Sequence, residues 1–259
     1  MSGIMMTAKN DAKGIEGARP PSFWQRFGDI FVSLGWIAAM FALQVVTGVA
    51  AFMYHIFANP SPVPWTARAA DMTAMAIPML WSLIAANLLL LFLVHFYLRR
   101  KERYSLLGLN RWSRLSAGKT ILLGIAVTAV GIGFNYVYTA YILPDVKMQE
   151  DIHRILNAVP RTPPNMVFIL SAVAIIPAIV EELLFRGLLQ NSLKKHLPPY
   201  AAICLAALVF AAMHGDPMAA PALFVLGVSF GLLYEKTGSL RVNILMHMLN
   251  NGAALLLTQ

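Results

Sequence analysis

A run of apolar residues in the second half of the chain carries two adjacent carboxylates and a guanidinium. The segment IIPAIVEELLFRG contains Glu181, Glu182 and Arg186 in what otherwise resembles the interior of a membrane helix. Ionised groups at that depth cost several kcal/mol each unless they pair or face water, so such a cluster indicates a functional site. Two further apolar segments each carry one histidine, His214 and His247. These residue types are suited to acid–base chemistry.

The elements that must position these residues are predicted to be membrane helices. Of the 259 residues, 58% are hydrophobic and only 12% are charged, and the mean hydropathy is +0.65. A soluble domain carries about twice that share of charge. We therefore predict an all-α, polytopic transmembrane helical bundle of about seven spans. The apolar stretches are Ile30–Phe57, Met72–Leu98, Ile121–Leu143, Met166–Leu193, Ala201–His214, Ala222–Tyr234 and Leu240–Leu257.

The basic residues predict the orientation of this bundle. The net charge is +8, which invites a nucleic-acid interpretation, but the charges are distributed by membrane side. Sixteen of the 20 Lys and Arg residues fall on one side of the predicted spans and four on the other. This bias follows the positive-inside rule and predicts a cytoplasmic N-terminus and an external C-terminus. We therefore interpret the basic residues as orienting the spans and contacting anionic lipid headgroups, and we expect no nucleic-acid partner.

Within the charged cluster, the spacing separates two roles. Glu182 and Arg186 are four residues apart, so they share a helix face and can pair. Glu181 lies about 100° around the helix and has no obvious local partner. A carboxylate that is not neutralised by a cation can exchange a proton with water and act as a general base. The simpler alternative is an ion pair that fixes helix packing, with Glu181 reaching towards the membrane surface, but the matching histidines favour a site. Pro177 is expected to kink the helix just before it.

Helical-hairpin geometry brings His214 to this site. If the fourth and fifth spans form a hairpin about Leu197–Pro198, Glu181 and His214 lie nearly symmetrically about the turn and share one depth. Phe210, one helical turn before His214, lies on the same face.

Helical-hairpin geometry can also be applied to the sixth and seventh spans. It places His247 about 14 Å from the turn between them, so we expect His247 to lie at a shallower depth than Glu181. Asn251 shares the face of His247 and could orient substrate, water or an oxyanion, whereas Asn250 is rotated away.

Several other features of the sequence have simpler explanations. His55 and His95 each stand alone near aromatic residues and are interpreted as packing histidines. Cys204 is the only cysteine, so it cannot form an intrachain disulfide. The small residues of Gly227-Val-Ser-Phe-Gly231 predict close packing of the sixth span. An apolar spacing at Met148, Ile152 and Ile155 predicts a short helix on the outer surface.

Three motifs resemble those of the CAAX protease and bacteriocin-processing (CPBP) family, which includes the type II CAAX prenyl endopeptidases and their bacterial relatives. Glu181-Glu182-Leu-Leu-Phe-Arg186 matches EExxxR, Phe210–His214 matches FxxxH and His247–Asn251 matches HxxxN. The resemblance covers about Met166–Leu257 and implies an intramembrane endopeptidase. It implies that Glu181 and His214 activate water, that His247 and Asn251 form an oxyanion site, and that Arg186 is structural, with Glu182 and Phe210 in support.

The resemblance also implies a domain organisation and a choice of mechanism. We predict a cytoplasmic N-terminal tail over 1–28, N-terminal membrane helices over 29–165 and a catalytic core of the CPBP type over 166–259. A mechanism without a metal is favoured because the HExxH helix of zincins is absent. Zinc held by Glu181, His214 and His247 is the alternative, since two histidines and a carboxylate can leave one position open. Water must reach the site, and we expect a cavity open to the cytoplasmic side.

A non-catalytic membrane protein is the competing class. Bacteriocin immunity factors resemble the same family, and a scaffold or transporter could also bury polar groups. A transporter is expected to show repeated halves, and none is found. The expected partners are the lipid bilayer and a membrane-associated peptide or protein substrate, which nothing in the sequence identifies as prenylated. The expected location is a bacterial cytoplasmic membrane, crossed several times.

Overall fold

The computed structural model of the chain describes residues 22–60, 62, 64, 72–101, 107–109, 112–142 and 150–257. Residues 1–21 of the predicted tail, Met148 of the predicted outer helix and part of the loop between the second and third spans lie outside these ranges.

The described residues form eight helices and no strand, which confirms an all-α membrane bundle. Four helices are long and apolar enough to cross a membrane, namely α1, α2, α3 and α5. Helix α6 is apolar but shorter. The span count and the orientation stay predictions. The helices are α1 (Phe23–Ala58), α2 (Met72–Arg100), α3 (Ala117–Ile142), α4 (Glu150–Ala158), α5 (Pro163–Leu193), α6 (Pro199–Ala212), α7 (Ala220–Thr237) and α8 (Leu240–Leu257).

Helix α4 is the short helix predicted in the outer segment, but it packs on the bundle. Its residues Ile155 and Leu156 are buried against Leu80 of α2 and Ile169 of α5. Ile155, one of the residues whose spacing suggested contact with the membrane surface, is therefore in contact with protein.

Helix α5 carries the EExxxR motif and alternates between α-helical and π-helical segments. The backbone is π-helical over Ser171–Ile175 and again over Glu182–Gln190. Pro177 has no N–H to donate to the carbonyl of Val173 four residues earlier, so the α-helical ladder cannot run unbroken there. Single π-helical turns often occur at functional sites. The backbone thus changes helix type just before Pro177, and the predicted kink stays a prediction.

Helices α5 and α7 run parallel and are joined by a ladder of polar contacts. Nη2 of Arg186 donates to the carbonyl of Gly227 at 3.0 Å, and Nε2 of Gln190 donates to that of Gly231 at 3.2 Å. A side chain on either glycine would clash with α6, because a Cβ on Gly227 would lie 2.9 Å from Cβ of Ala207. The small residues therefore serve close packing, as predicted, and also leave two carbonyls within reach of long polar side chains.

We expect Gly227→Ala to lower the thermal unfolding temperature of the purified protein in detergent. The added methyl must displace Ala207, and overpacking of this kind typically costs about 1–3 kcal/mol. Gly133→Ala on α3 is the matched control, since a Cβ there meets nothing within 4 Å. Equal unfolding temperatures for the two variants would contradict close packing at Gly227.

Candidate active site

Glu182 and Arg186 form the buried centre of the cluster. Nη1 of Arg186 donates to Oε1 of Glu182 at 2.9 Å, which confirms the predicted ion pair between residues four apart. The guanidinium carbon of Arg186 lies 5.0 Å from the ring centre of Phe210 and 5.6 Å from that of Phe230. A desolvated cation over aromatic faces gains from their quadrupoles. Arg186 therefore balances the carboxylate charge and holds three helices together.

His247 lies between the two carboxylates. Its Nδ1 is 2.8 Å from Oε1 of Glu182, and its Nε2 is 3.6 Å from Oε2 of Glu181. The imidazole is buried and stacks on Phe230 with 4.8 Å between ring centres. Because Glu182 is ion-paired, it acts only as an acceptor, so Nδ1 is assigned the hydrogen of this bond. The other ring nitrogen, Nε2, then faces Glu181 and is left for proton transfer.

This arrangement contradicts the expectation that His247 lies at a shallower depth than Glu181. The count of residues assumed regular helices whose turns, after α5 and after α7, lie at one depth, and the contacts of His247 with both carboxylates show that this count does not locate the imidazole. The π-helical segment Glu182–Gln190 accounts for a part of the difference, because it packs more residues into each turn.

Glu181 differs from its neighbour in exposure and partners. Its side chain is 16% exposed, whereas that of Glu182 is fully buried. The 3.6 Å separation between Glu181 and His247 is longer than a hydrogen bond. Glu181 is thus the less buried of the two carboxylates and, as the helix geometry predicted, it is not the one that pairs with Arg186.

His214 lies just beyond the end of α6, which stops at Ala212 rather than at His214 as predicted. Gly215 follows with φ +68, and Pro217 disfavours helix at Asp216. The oxygen Oδ1 of Asp216 instead accepts the backbone N–H groups of Met218 and Ala219, at 2.9 and 3.1 Å, ahead of α7. The chain therefore turns directly after the histidine.

The surroundings of His214 place it beside the cluster but not on Glu181. Its Nδ1 lies 2.9 Å from the carbonyl oxygen of Phe210, and that bond assigns the hydrogen to Nδ1 and leaves Nε2 as an acceptor. The ring of Phe210 contacts both His214 and His247, with 4.7 and 6.2 Å between ring centres. Among the described residues, no ion pair joins His214 to Glu181, so their predicted approach to within one water molecule stays a prediction.

Asn251 approaches the irregular part of α5. Its Nδ2 lies 3.4 Å from the carbonyl oxygen of Val173, the group that Pro177 cannot serve. Its Oδ1 accepts from Nδ2 of Asn250, also at 3.4 Å. Asn250 was predicted to point away, yet it is buried and contacts the amide of Asn251. One N–H of Asn251 remains for another acceptor, since an amide nitrogen has two hydrogens.

Asn243 is a site residue that the sequence analysis missed. Its Nδ2 donates to Oε2 of Glu182 at 3.0 Å and to the carbonyl of Phe230 at 2.7 Å. A signal was present, because Asn243, His247 and Asn251 follow one another at intervals of four and form one polar stripe on an apolar helix.

The geometry also bears on the zinc alternative. Among the residues that the structure describes, no group of three His, Cys, Asp or Glu side chains converges so as to hold a metal ion. In this arrangement Glu181, His214 and His247 do not lie together as a set of three zinc ligands, and the choice between the two mechanisms stays a prediction.

Comparisons with known proteins agree with the location of the motifs. Residues 163–253 match the family model described as type II CAAX prenyl endopeptidase Rce1-like. A relative named membrane-embedded CAAX protease MroQ, from Staphylococcus aureus (strain USA300), is 38% identical over 86 residues, which are 31% of this chain and 35% of the relative. The match thus spans about a third of that relative's length. No solved structure matches the chain. Residues 163–253, which carry the three motifs, are thus similar in sequence to the type II CAAX prenyl endopeptidases and to a membrane-embedded CAAX protease.

Proposed function

We propose that the protein is an intramembrane endopeptidase in which Glu181 activates water. The observation that carries the proposal is the position of His247 between a fully buried, ion-paired carboxylate and a second carboxylate that is partly exposed. In this proposal the fully buried Glu182 orients His247, whereas the less buried Glu181 reacts with water. A purely structural ion pair would need neither the second carboxylate nor the histidine.

The orienting half consists of Glu182, Arg186 and Asn243. The carboxylate of Glu182 accepts from Arg186 and Asn243 and also from Nδ1–H of His247, and this last bond fixes the plane of the imidazole ring. Buried partners of this kind are expected to hold the reacting group in place without contacting substrate. They act as positioning residues.

The reacting half begins with a water molecule beside Glu181. As the water oxygen attacks the peptide carbonyl carbon, Glu181, assisted by Nε2 of His214, takes its proton. The negative charge on the carbonyl oxygen is stabilised by the remaining N–H of Asn251 and by Nε2–H of His247 in the doubly protonated form of the ring, in which Nδ1–H still donates to Glu182. Collapse of this tetrahedral species breaks the C–N bond, and the proton on Glu181 passes to the leaving nitrogen. One water is consumed, and a carboxylic acid and an amine are released; the acid then gives its proton to the amine or to solvent.

The proposed setting is a bacterial cytoplasmic membrane crossed several times, with a membrane-associated peptide or protein as the substrate. The apolar helices of the bundle support the bilayer setting. The relative from Staphylococcus aureus is named as membrane-embedded, which supports a bacterial membrane.

A cleavage assay with and without chelation tests this proposal. Purified protein is added to detergent-solubilised membrane proteins from cells that lack it, and new N-termini are quantified by mass spectrometry. We expect new termini to form at the same rate after exhaustive chelation, with no stoichiometric zinc in the active protein. Loss of cleavage on chelation and recovery with added zinc would replace the glutamate mechanism by a metal one. No cleavage under either condition would favour the non-catalytic alternative.

A further inference from the structure

Asn250 is a buried amide directly before the proposed oxyanion donor. It is 8% exposed, whereas its neighbour Asn251 is partly exposed. Consecutive residues on a helix point about 100° apart, so the two side chains have different surroundings. An amide carries two N–H hydrogens and a carbonyl oxygen, and burying it costs free energy unless these groups find partners. The partners of Asn250 therefore indicate what its amide does.

The backbone carbonyl of Val173 determines how the two amides are oriented. A carbonyl can only accept, so Nδ2 rather than Oδ1 of Asn251 faces it, at 3.4 Å. The oxygen of Asn251 then faces Nδ2 of Asn250, also at 3.4 Å. A reversed amide on Asn251 would place two acceptors opposite each other at one end and two donors at the other. The two contacts therefore select one of two orientations that have the same shape.

The selected orientation is the one that the proposed chemistry needs. It leaves the second hydrogen of Nδ2 of Asn251 for the negative charge that develops on the substrate carbonyl oxygen. In the reversed orientation an oxygen would take the place of this N–H and repel that charge. Both contacts are longer than an ideal hydrogen bond, so neither alone holds the amide firmly. Loss of the contact from Asn250 is therefore expected to raise the population of the reversed amide.

Asn250 is held from its other side by α3. A Cβ added to Gly131 of α3 would lie 3.6 Å from Oδ1 of Asn250, so this oxygen lies against α3 while the nitrogen faces Asn251. A Cβ added to Gly124 would lie 2.6 Å from Sδ of Met246, which shows that α3 and α8 approach closely. Close-packed side chains have little room to change rotamer. Asn250 is thus fixed where its Nδ2 reaches its neighbour.

Helix α3 also supports the second group of the proposed oxyanion site. Val127 of α3 is buried in one cluster with Phe230 of α7. The ring of Phe230 stacks on His247, with 4.8 Å between ring centres. Helix α3 carries none of the three motifs, yet it lies behind both side chains that are proposed to stabilise the negative charge.

From these contacts we propose that Asn250 is a positioning residue that orients the amide of Asn251 towards the developing oxyanion. Asn250 contacts α3 and Asn251, and it acts on the reaction through its neighbour. The effect on catalysis rests on the proposed peptidase function, whereas the orientation of Asn251 by Asn250 does not. The two statements are therefore tested by separate measurements.

A double-mutant cycle in the unfolding temperature tests the contact without any substrate. In the parent chain, Asn250→Leu removes the donor that faces Oδ1 of Asn251, so it is expected to lower the unfolding temperature in detergent. In an Asn251→Ala chain, Nδ2 of Asn250 has already lost its acceptor, so the same change is expected to raise it. Equal shifts in the two chains would show that the amides do not interact and would overturn the inference.

Asn87→Leu on α2 is the matched control for this cycle. Asn87 is also a buried asparagine on an apolar helix, but its Nδ2 donates to the carbonyl of Leu83 in its own helix at 2.8 Å. The change is therefore expected to shift the unfolding temperature equally in the parent chain and in the Asn251→Ala chain.

The rate of new N-terminus formation by the same purified proteins tests the effect on catalysis. Asn251→Ala is expected to lower this rate by about 10²–10³-fold, the usual effect of removing an oxyanion donor. Asn250→Leu is expected to lower it about 10-fold in the parent chain but not in the Asn251→Ala chain, because its effect passes through Asn251. Asn87→Leu should retain the parental rate.

Two results would overturn the positioning role. One is a parental rate for Asn250→Leu, and the other is a loss in the Asn251→Ala chain as large as that in the parent chain. If the parent protein forms no new termini, the positioning role fails together with the proposed function. The unfolding temperatures then still decide whether Asn250 orients Asn251.

Discussion

Arg186→Ala is expected to destabilise the folded protein by about 3–5 kcal/mol, the cost of leaving one member of a buried ion pair without its partner. The variant leaves Glu182 fully buried beside His247 and also removes the bond to the carbonyl of Gly227. The measurement is the unfolding temperature in detergent together with the yield of folded protein. Glu182→Ala should have a comparable effect, because it leaves the guanidinium of Arg186 buried.

The Lys194–Glu235 pair supplies the control for this prediction. Both side chains are partly exposed, and pairs in contact with solvent contribute about 0–1 kcal/mol. Lys194→Ala should therefore change the unfolding temperature little. An Arg186→Ala protein as stable as Lys194→Ala would show that the buried pair does not hold the bundle together.

Glu181→Gln is expected to leave the fold intact and to lower the cleavage rate by about 10²–10⁴-fold, the usual contribution of a positioned general base. The amide has the same shape as the carboxylate but cannot take a proton from water. Stability should be retained, because Glu181 is partly exposed and its contact with His247 is longer than a hydrogen bond. The initial rate of new N-terminus formation by purified protein measures the first effect, and the unfolding temperature measures the second.

Glu235→Gln on α7 is the control for Glu181→Gln, since it changes a carboxylate to an amide away from the site. It should cleave at the parental rate. Destabilisation by Glu181→Gln as large as that by Arg186→Ala would mean that both carboxylates are structural.

Parts of the fold and site that depend on short-range spacing could be predicted from the sequence. The Glu182–Arg186 pair follows from a separation of four on a helix, and the close packing at Gly227 and Gly231 follows from the absence of side chains. The distinction between Glu181 and Glu182 followed from the same spacing, because only one of the two can reach Arg186. These features require no knowledge of how helices are arranged.

Features that depend on helix register and helix type could not be predicted in the same way. The depth of His247 was misjudged because the sequence reveals neither how α8 lies against α5 nor that Glu182–Gln190 is π-helical. The role of Asn243 became clear only when α8 was seen against α5, since its partner Glu182 is 61 residues away in the chain. The end of α6 before His214 was also missed, although Gly215 and Pro217 offered a local signal.

Solvent-oxygen labelling of the cleavage products tests most directly the central claim that Glu181 activates water for peptide hydrolysis. Purified protein is allowed a single turnover in water enriched in heavy oxygen, and products and protein are analysed by mass spectrometry. We expect each new C-terminal carboxylate to gain a solvent oxygen and the carboxylate of Glu181 to gain none. Heavy oxygen in Glu181 would show a covalent acyl intermediate and would contradict its assignment as a general base.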